Sequence, residues 1–312
     1  MNALQLSQEY FDNVAKPLLK RDFPELYPRL AAGLAGNGSE CYGYDDEISR
    51  DHDWGVDFFI WALEEDRDMI PTLAAWKEEL FEKTPPAQAR SRSQYGAPVD
   101  VMTCADFFSS MIGTPGRPKT LGQWLSPPEE NFAMAVNGGV FFDGPGEFTA
   151  ARLELLDHYP QDIRLKKIAA KCMALAQTGQ YNHGRTALRG DTVTLRSVLA
   201  RFTDAAIAMA FLLSKVYMPY YKWAFKAMRE LPRPAGEVAD LLAEIAGAAG
   251  FDDESQARRQ DAIEKVCAIY ADELRTQGLS DSGDSFMVAH GESVMRGIAT
   301  EALRNLPAQY EV

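Results

Sequence analysis

The chain has 312 residues, 46% of them hydrophobic, and 32 Lys/Arg against 45 Asp/Glu give a net charge of -13. That is enough for one large domain or two ordinary ones, each with its own core. No run of about 18 apolar residues appears, and the N-terminus mixes charged and apolar positions as a surface helix does, which argues against a membrane span or a signal peptide.

Residues 5 to 32 read as one or two short helices interrupted by Pro17, Pro24 and Pro28. A strand-like stretch, Ala32 to Gly36, runs into Asn37-Gly38-Ser39 and a loop rich in Gly, Tyr and acid. Asp51 to Trp61 reads as a strand with aromatic and branched residues, and Ile70 to Lys83 as an amphipathic helix. A strand around Asp100 and a short one at Val140 to Gly144 complete an α/β half.

From about residue 150 apolar residues recur at three and four with almost no strand signal. The spacing predicts helices over Asp162 to Gln177, Thr192 to Tyr217, Tyr220 to Leu231, Gly236 to Ala248, Asp253 to Gln277 and His290 to Leu306. The expected class is α+β: a mixed sheet with helices over 1–150, followed by a helical bundle over 151–312 that completes a cleft with it.

Charge follows the same division. Residues 1–150 hold 12 Lys/Arg against 24 Asp/Glu, residues 151–233 hold 14 against 6, and residues 234–312 hold 6 against 15. Solvated helix faces explain such charge in the ordinary case. The sharper reading is that the basic segment receives phosphate beside a metal held by the acidic half. Four well-separated cysteines, Cys41, Cys104, Cys172 and Cys267, form no CxxC pair, so neither a disulfide framework nor a structural zinc site is expected, and the expected compartment is the cytoplasm.

Three aspartates carry the chemistry. Asp51 and Asp53 stand one residue apart, so on a strand they project to one side, and Asp100 sits in a second apolar run that a neighbouring strand can bring alongside. Three carboxylates so placed favour magnesium, with manganese as a substitute. Gly38-Ser39 precedes them: Gly38 offers permissive dihedrals, and Ser39 an N–H and a hydroxyl for a phosphate oxygen. Together they suit metal-assisted in-line displacement on a nucleoside triphosphate.

The series GNGSECYGYDDEISRDHDWG followed by APVDVM resembles the nucleotidyltransferase superfamily with the polymerase-beta-like fold. More narrowly, with GQYNHGRTALRGD and VYMPYYKW, the chain resembles an uncharacterised bacterial family of such proteins, DUF4037. The superfamily resemblance covers about 65 residues, and the narrower one touches both halves. It implies a small mixed sheet with helices, magnesium, and transfer of a nucleoside monophosphate to an acceptor. Carried over, Gly38 and Ser39 match the phosphate-loop pair, Asp51 and Asp53 the metal pair, and Asp100 the third carboxylate. His52, where the superfamily has an apolar residue, and the acidic Asp45-Asp46-Glu47 depart from the pattern.

Several residues have competing readings. Asp57 shares the parity of Asp51 and Asp53 but lies about 13 Å from Asp53 at strand rise, which favours solvation at a strand end. His52, followed by Asp53, invites a histidine-aspartate metal reading, that of a metal-dependent phosphohydrolase, but only four histidines exist and such sites need several at defined spacing. In the basic middle, Lys166, Lys167, Tyr181, Asn182, Arg185 and Arg189 are the candidates for triphosphate or ribose contact. Tyr217, Tyr220, Tyr221 and Trp223 suit core packing better than base stacking.

The expected activity is nucleotidyl transfer to a hydroxyl of a small-molecule acceptor, with a cationic one suited to the acidic half. No membrane partner is expected, and a net charge of -13 argues against nucleic acid. A catalytically silent nucleotide-binding protein is the competing class.

Overall fold

The computed structural model describes residues 2–48, 54–88, 100–248 and 250–312. The chain divides into two compact units, Met1–Asp157 and His158–Val312.

The first unit opens with α1 (Ala3–Tyr10), a π-helical segment (Phe11–Ala15) and α2 (Lys16–Asp22) in one continuous run. Asn2 caps α1 by accepting from the Gln5 N–H, and Gln5 returns the bond. Pro17 does not break this run. It stands in the first turn of α2, directly after the wider π turn, where its missing N–H and its ring are tolerated.

Four short strands follow: β1 (Leu30–Leu34), β2 (Phe59–Ala62), β3 (Val101–Thr103) and β4 (Gly139–Asp143), ordered β3-β2-β1-β4. β1 is antiparallel to both β2 and β4, and β2 is parallel to β3, so the sheet is small and mixed. Between them stand α3 (Ile70–Lys83), α4 (Cys104–Ile112), α5 (Leu121–Leu125) and α6 (Glu129–Val136), and α7 (Glu147–Leu156) closes the unit.

Both faces of this sheet are covered, which is why β1 consists of five small or aliphatic residues, all buried. On one face Leu30, Ala32, Ile60, Ala62 and Val101 pack with Phe11, Ala15 and Leu19 from the N-terminal run and Leu73 and Leu80 from α3. On the other, Trp61 stacks on Phe148 of α7 at 3.7 Å between ring centroids and meets Phe107 of α4 edge-on at 5.4 Å. Period-2 alternation along β2 thus separates two aromatic and aliphatic cores.

The second unit is helical among its described residues: α8 (Gln161–Leu175), a second π segment (Ala176–His183), α9 (Gly184–Leu188), α10 (Thr192–Ser214), α11 (Tyr221–Met228), α12 (Ala235–Gly247), α13 (Asp253–Thr276), α14 (Met287–Arg296) and α15 (Glu301–Arg304). α8 lies against α10 and α14, and α12 against α13. By length and composition α10 is apolar enough to cross a membrane, but 61% of its most apolar window is buried within the fold, as in a core helix. All four cysteines are free, buried thiols. Burial pushes the Cys104 thiol up to about 12, which removes its thiolate character at neutral pH.

Candidate functional site

Sheet topology decides which of the expected residues meet. Leu30 of β1 pairs with Ala62 and Gly33 with Phe59, so the C-terminal end of β1 lies at the N-terminal end of β2. Ile60 pairs with Val101 in parallel register, and the Ile60 N–H donates to the Asp100 carbonyl at 2.9 Å. The C-terminal end of β1, ahead of Gly38-Ser39, and the residue that heads β3 therefore share one end of the sheet, their strands two spacings or about 10 Å apart.

Gly38 holds φ 129°, a conformation that favours glycine, and a Cβ there would meet the Glu40 carboxylate at 2.3–2.5 Å. Ser39 opens a 3₁₀ turn, Ser39–Tyr42, closed by Gly43 in the left-handed conformation. Tertiary bonds fix the turn from outside. The Asn137 amide accepts from the Gly36 N–H and donates to the Gly36 carbonyl, each at 2.8 Å, and the Gly138 N–H donates to the Cys41 carbonyl at 2.8 Å. Glu40 is 3% exposed, and its carboxylate stands beside Gly38.

Asp100 is engaged at this edge. The Lys77 ammonium, on α3, donates to Asp57 Oδ1 at 2.7 Å and to Asp100 Oδ2. Asp57 is therefore not merely solvated at a strand end: an ion pair holds it, and its Oδ1 also accepts from the Phe58 N–H at 2.8 Å. Asp51, Asp53 and His52 lie outside the described residues. Among the described residues no group of three or more His, Cys, Asp or Glu side chains is arranged to hold a metal ion. The two described carboxylates at this edge, Asp57 and Asp100, are both paired with the Lys77 ammonium. The acidic loop has a structural member in Asp45, whose Oδ2 accepts from the Ala3 N–H and the Trp54 Nε1, both at 2.8 Å.

The remaining candidates belong to the second unit. The structure gives Lys166 another task than binding phosphate: it is 0% exposed, and its ammonium donates to the carbonyls of Ala308, at 3.1 Å, and Tyr310. Burial lowers its pKa, and those carbonyls supply the acceptors a buried ammonium requires. Arg164 is likewise buried, on the carbonyls of Leu212 and Leu213. Lys167 lies 5.0 Å from the Tyr159 ring centroid.

Tyr181, Asn182, Arg185 and Arg189 share one stretch of the second π segment and α9. The Arg185 Nη1 donates to the Tyr181 hydroxyl at 2.9 Å, and its guanidinium lies 4.8 Å from that ring. Tyr181 is 52% exposed, and Arg185 and Arg189 are exposed as well. Their neighbours turn inward: Gly179 packs on Phe202 and Ile263, while His183 Nδ1 bonds Gln260 Oε1 at 2.7 Å. Of the aromatic cluster, Tyr217 is buried against His158 and Tyr159, whereas Tyr220 and Tyr221 are exposed.

Sequence reasoning missed Lys77 and Asn137 and set Asp57 aside. A signal for Lys77 existed: it occupies the apolar stripe of α3 between Leu73 and Leu80, where a charge needs partners.

A profile of the family described as "Domain of unknown function (DUF4037)" matches residues 124–224. The matched stretch runs from Trp124 in α5 to Ala224 in α11 and includes the Asn137 clamp and the Tyr181–Arg189 strip. It leaves out Gly38, Ser39, Asp51, Asp53 and Asp100. No curated protein and no solved structure matches the chain.

Proposed function

We propose that this protein is a metal-dependent nucleotidyltransferase that moves a nucleoside monophosphate from a nucleoside triphosphate to a hydroxyl of a small-molecule acceptor. The observation that carries the reading is the shared sheet edge, where the Gly38-Ser39 turn leaves β1 and Asp100 heads β3. Asp51 and Asp53 precede β2 in sequence, and the N-terminal end of β2 lies at that edge.

In this reading Asp51, Asp53 and Asp100 hold magnesium, with manganese as a substitute. When bound, the ion neutralises charge on the phosphates and on the departing pyrophosphate. Gly38 lets the backbone approach a phosphate, and Ser39 contributes its N–H and hydroxyl. An aspartate takes the proton of the attacking hydroxyl. With 24 Asp/Glu against 12 Lys/Arg in residues 1–150, a cationic small molecule is the acceptor favoured over nucleic acid.

The test is to incubate the protein with magnesium, each labelled triphosphate in turn and a metabolite extract. Pyrophosphate release is expected, and Asp51→Ala or Asp53→Ala should bring it to background. Tight triphosphate binding without pyrophosphate under any acceptor would refute transfer and leave a silent nucleotide-binding protein.

A further inference from the structure

The helical unit holds a cavity of about 210 Å³ between the C-terminal end of α10, the start of α12 and the C-terminal end of α13. Leu213 and Tyr270, whose hydroxyl is bonded to the Ala206 carbonyl, contribute apolar wall, and Ser214, Arg233, Glu273 and Gln277 the polar lining. Glu273 is fixed from behind. The buried Arg164 guanidinium donates to Gln277 Oε1 at 2.7 Å, and Gln277 Nε2 donates in turn to the Leu213 carbonyl at 3.1 Å and to Glu273 Oε1 at 2.7 Å. That chain uses both N–H groups of the glutamine and orients one carboxylate oxygen, leaving Glu273 Oε2 without a donor among the described residues. Arg233 is exposed, at the rim, and likewise meets no acceptor among the described residues, while Ser214 is half-buried.

Unpaired charges on a surface are ordinary. Here two opposite ones line a single cavity without pairing with each other, and one of them is oriented by a buried guanidinium. Helix ends add to the same polarity: the α10 C-terminus at Ser214 favours a cation, and the first turn of α12, whose Pro234 N-cap gives no side-chain cap, favours an anion beside Arg233. We infer that this cavity binds a free aliphatic α-amino acid, its ammonium on Glu273 and Ser214 and its carboxylate on Arg233 and the start of α12. An engineered cavity of about 150 Å³ takes up benzene, so one of about 210 Å³ admits an amino acid of about eight heavy atoms, the size of valine. Every residue involved belongs to the helical unit, so the inference stands apart from the transferase reading.

The experiment titrates L-valine against the full chain by ligand-observed NMR, beside isobutylamine and 3-methylbutanoate, which keep the skeleton but lack the carboxylate or the ammonium. Valine should bind saturably, and each single-charge analogue about tenfold or more weakly, the worth of one charge-assisted hydrogen bond. Glu273→Gln, which keeps an oxygen for Gln277, should weaken valine and isobutylamine by about tenfold or more and leave 3-methylbutanoate unchanged. Arg233→Gln, at an exposed position, should weaken valine and 3-methylbutanoate and leave isobutylamine unchanged. Cooperative melting of each variant separates loss of ligand from loss of fold. Isobutylamine binding as tightly as valine would overturn the inference in favour of a simple amine site. Valine binding that survives both substitutions would overturn it by placing the amino acid elsewhere, and so would failure of L-valine, L-proline and L-leucine alike to bind the folded parent.

Discussion

Gly179 opens a stretch, GQYNHGR, that reads from sequence as turn residues and ligand-binding side chains at a helix junction, yet the structure makes this glycine a packing contact. A Cβ at 179 would lie 2.5 Å from Phe202 Cε2 and 2.7 Å from Ile263 Cγ2, and both side chains are fully buried. Neither is the free end of a flexible chain, so a methyl group must push a ring and a branched side chain apart by about 1 Å. Overpacking of that kind costs about 1–3 kcal/mol, and contacts this short belong in the upper half of the range. Alanine returns about 1 kcal/mol through helix propensity. Gly179→Ala should therefore destabilise by about 1–2 kcal/mol, a fall of about 3–8 °C in Tm for a unit of this size. Urea unfolding followed by circular dichroism, supported by calorimetry, measures it. Phe202→Leu in the same chain should recover part of the loss, so the two changes combine less than additively. Triphosphate affinity per folded molecule should stay unchanged. A Gly179→Ala protein as stable as the parent would refute the packing argument, and one equally stable but weak in triphosphate binding would restore the ligand-loop reading.

Two further outcomes follow from buried polar groups of the helical unit. Lys166→Met removes the donor that holds the carbonyls of Ala308 and Tyr310, so amide exchange around 308–310 should accelerate while triphosphate affinity holds; hydrogen-exchange mass spectrometry reads this, and lost affinity would return Lys166 to the binding set. His158 is pushed down to about 3, by burial first and then by Arg164, Lys215 and Lys167. The unfolded chain therefore takes up that proton first as pH falls below about 6.5, and stability should drop by up to about 1.4 kcal/mol per pH unit between there and about 3. His158 has φ 70°, which asparagine tolerates, so His158→Asn should flatten the urea-derived slope between pH 7 and 5. Buried His183, also lowered, leaves a residual slope, and an unchanged slope would exclude His158 as its source.

Where local pattern and tertiary demand agree, the sequence reads through to the fold. Ile70 to Lys83 is a helix with the expected ends, because its apolar stripe faces one core throughout. Disagreement marks places where distant groups intervene. The helix expected over His290 to Leu306 breaks between Arg296 and Glu301, where the Asp162 carboxylate accepts from the Thr300 N–H at 2.7 Å and from its hydroxyl at 2.5 Å. No periodicity within 290–306 announces a partner 138 residues away. Conversely, the helix expected to stop at Gln177 continues as a π segment to His183. There Gln180 accepts from the Met287 N–H and donates to the Glu264 carboxylate, and those bonds hold the widened turns.

The candidate site is legible only for residues that stand next to strands. Gly38-Ser39 and Asp100 could be placed because a turn after one strand and an acid before another are local signals, and antiparallel then parallel pairing brings both to one edge. The expectation of a solvated strand end failed for Asp57, since the Lys77 ammonium holds its carboxylate just ahead of β2, which begins at Phe59. What joins those two acids is a side chain from α3, and only the register of α3 against β2 and β3 determines that the ammonium reaches both. A charge on an apolar stripe is visible in a sequence, whereas the identity of its partners is a property of the packing. That asymmetry explains why Lys77, the one basic residue among the buried positions of α3, was readable as an anomaly before it was readable as the partner of Asp57 and Asp100.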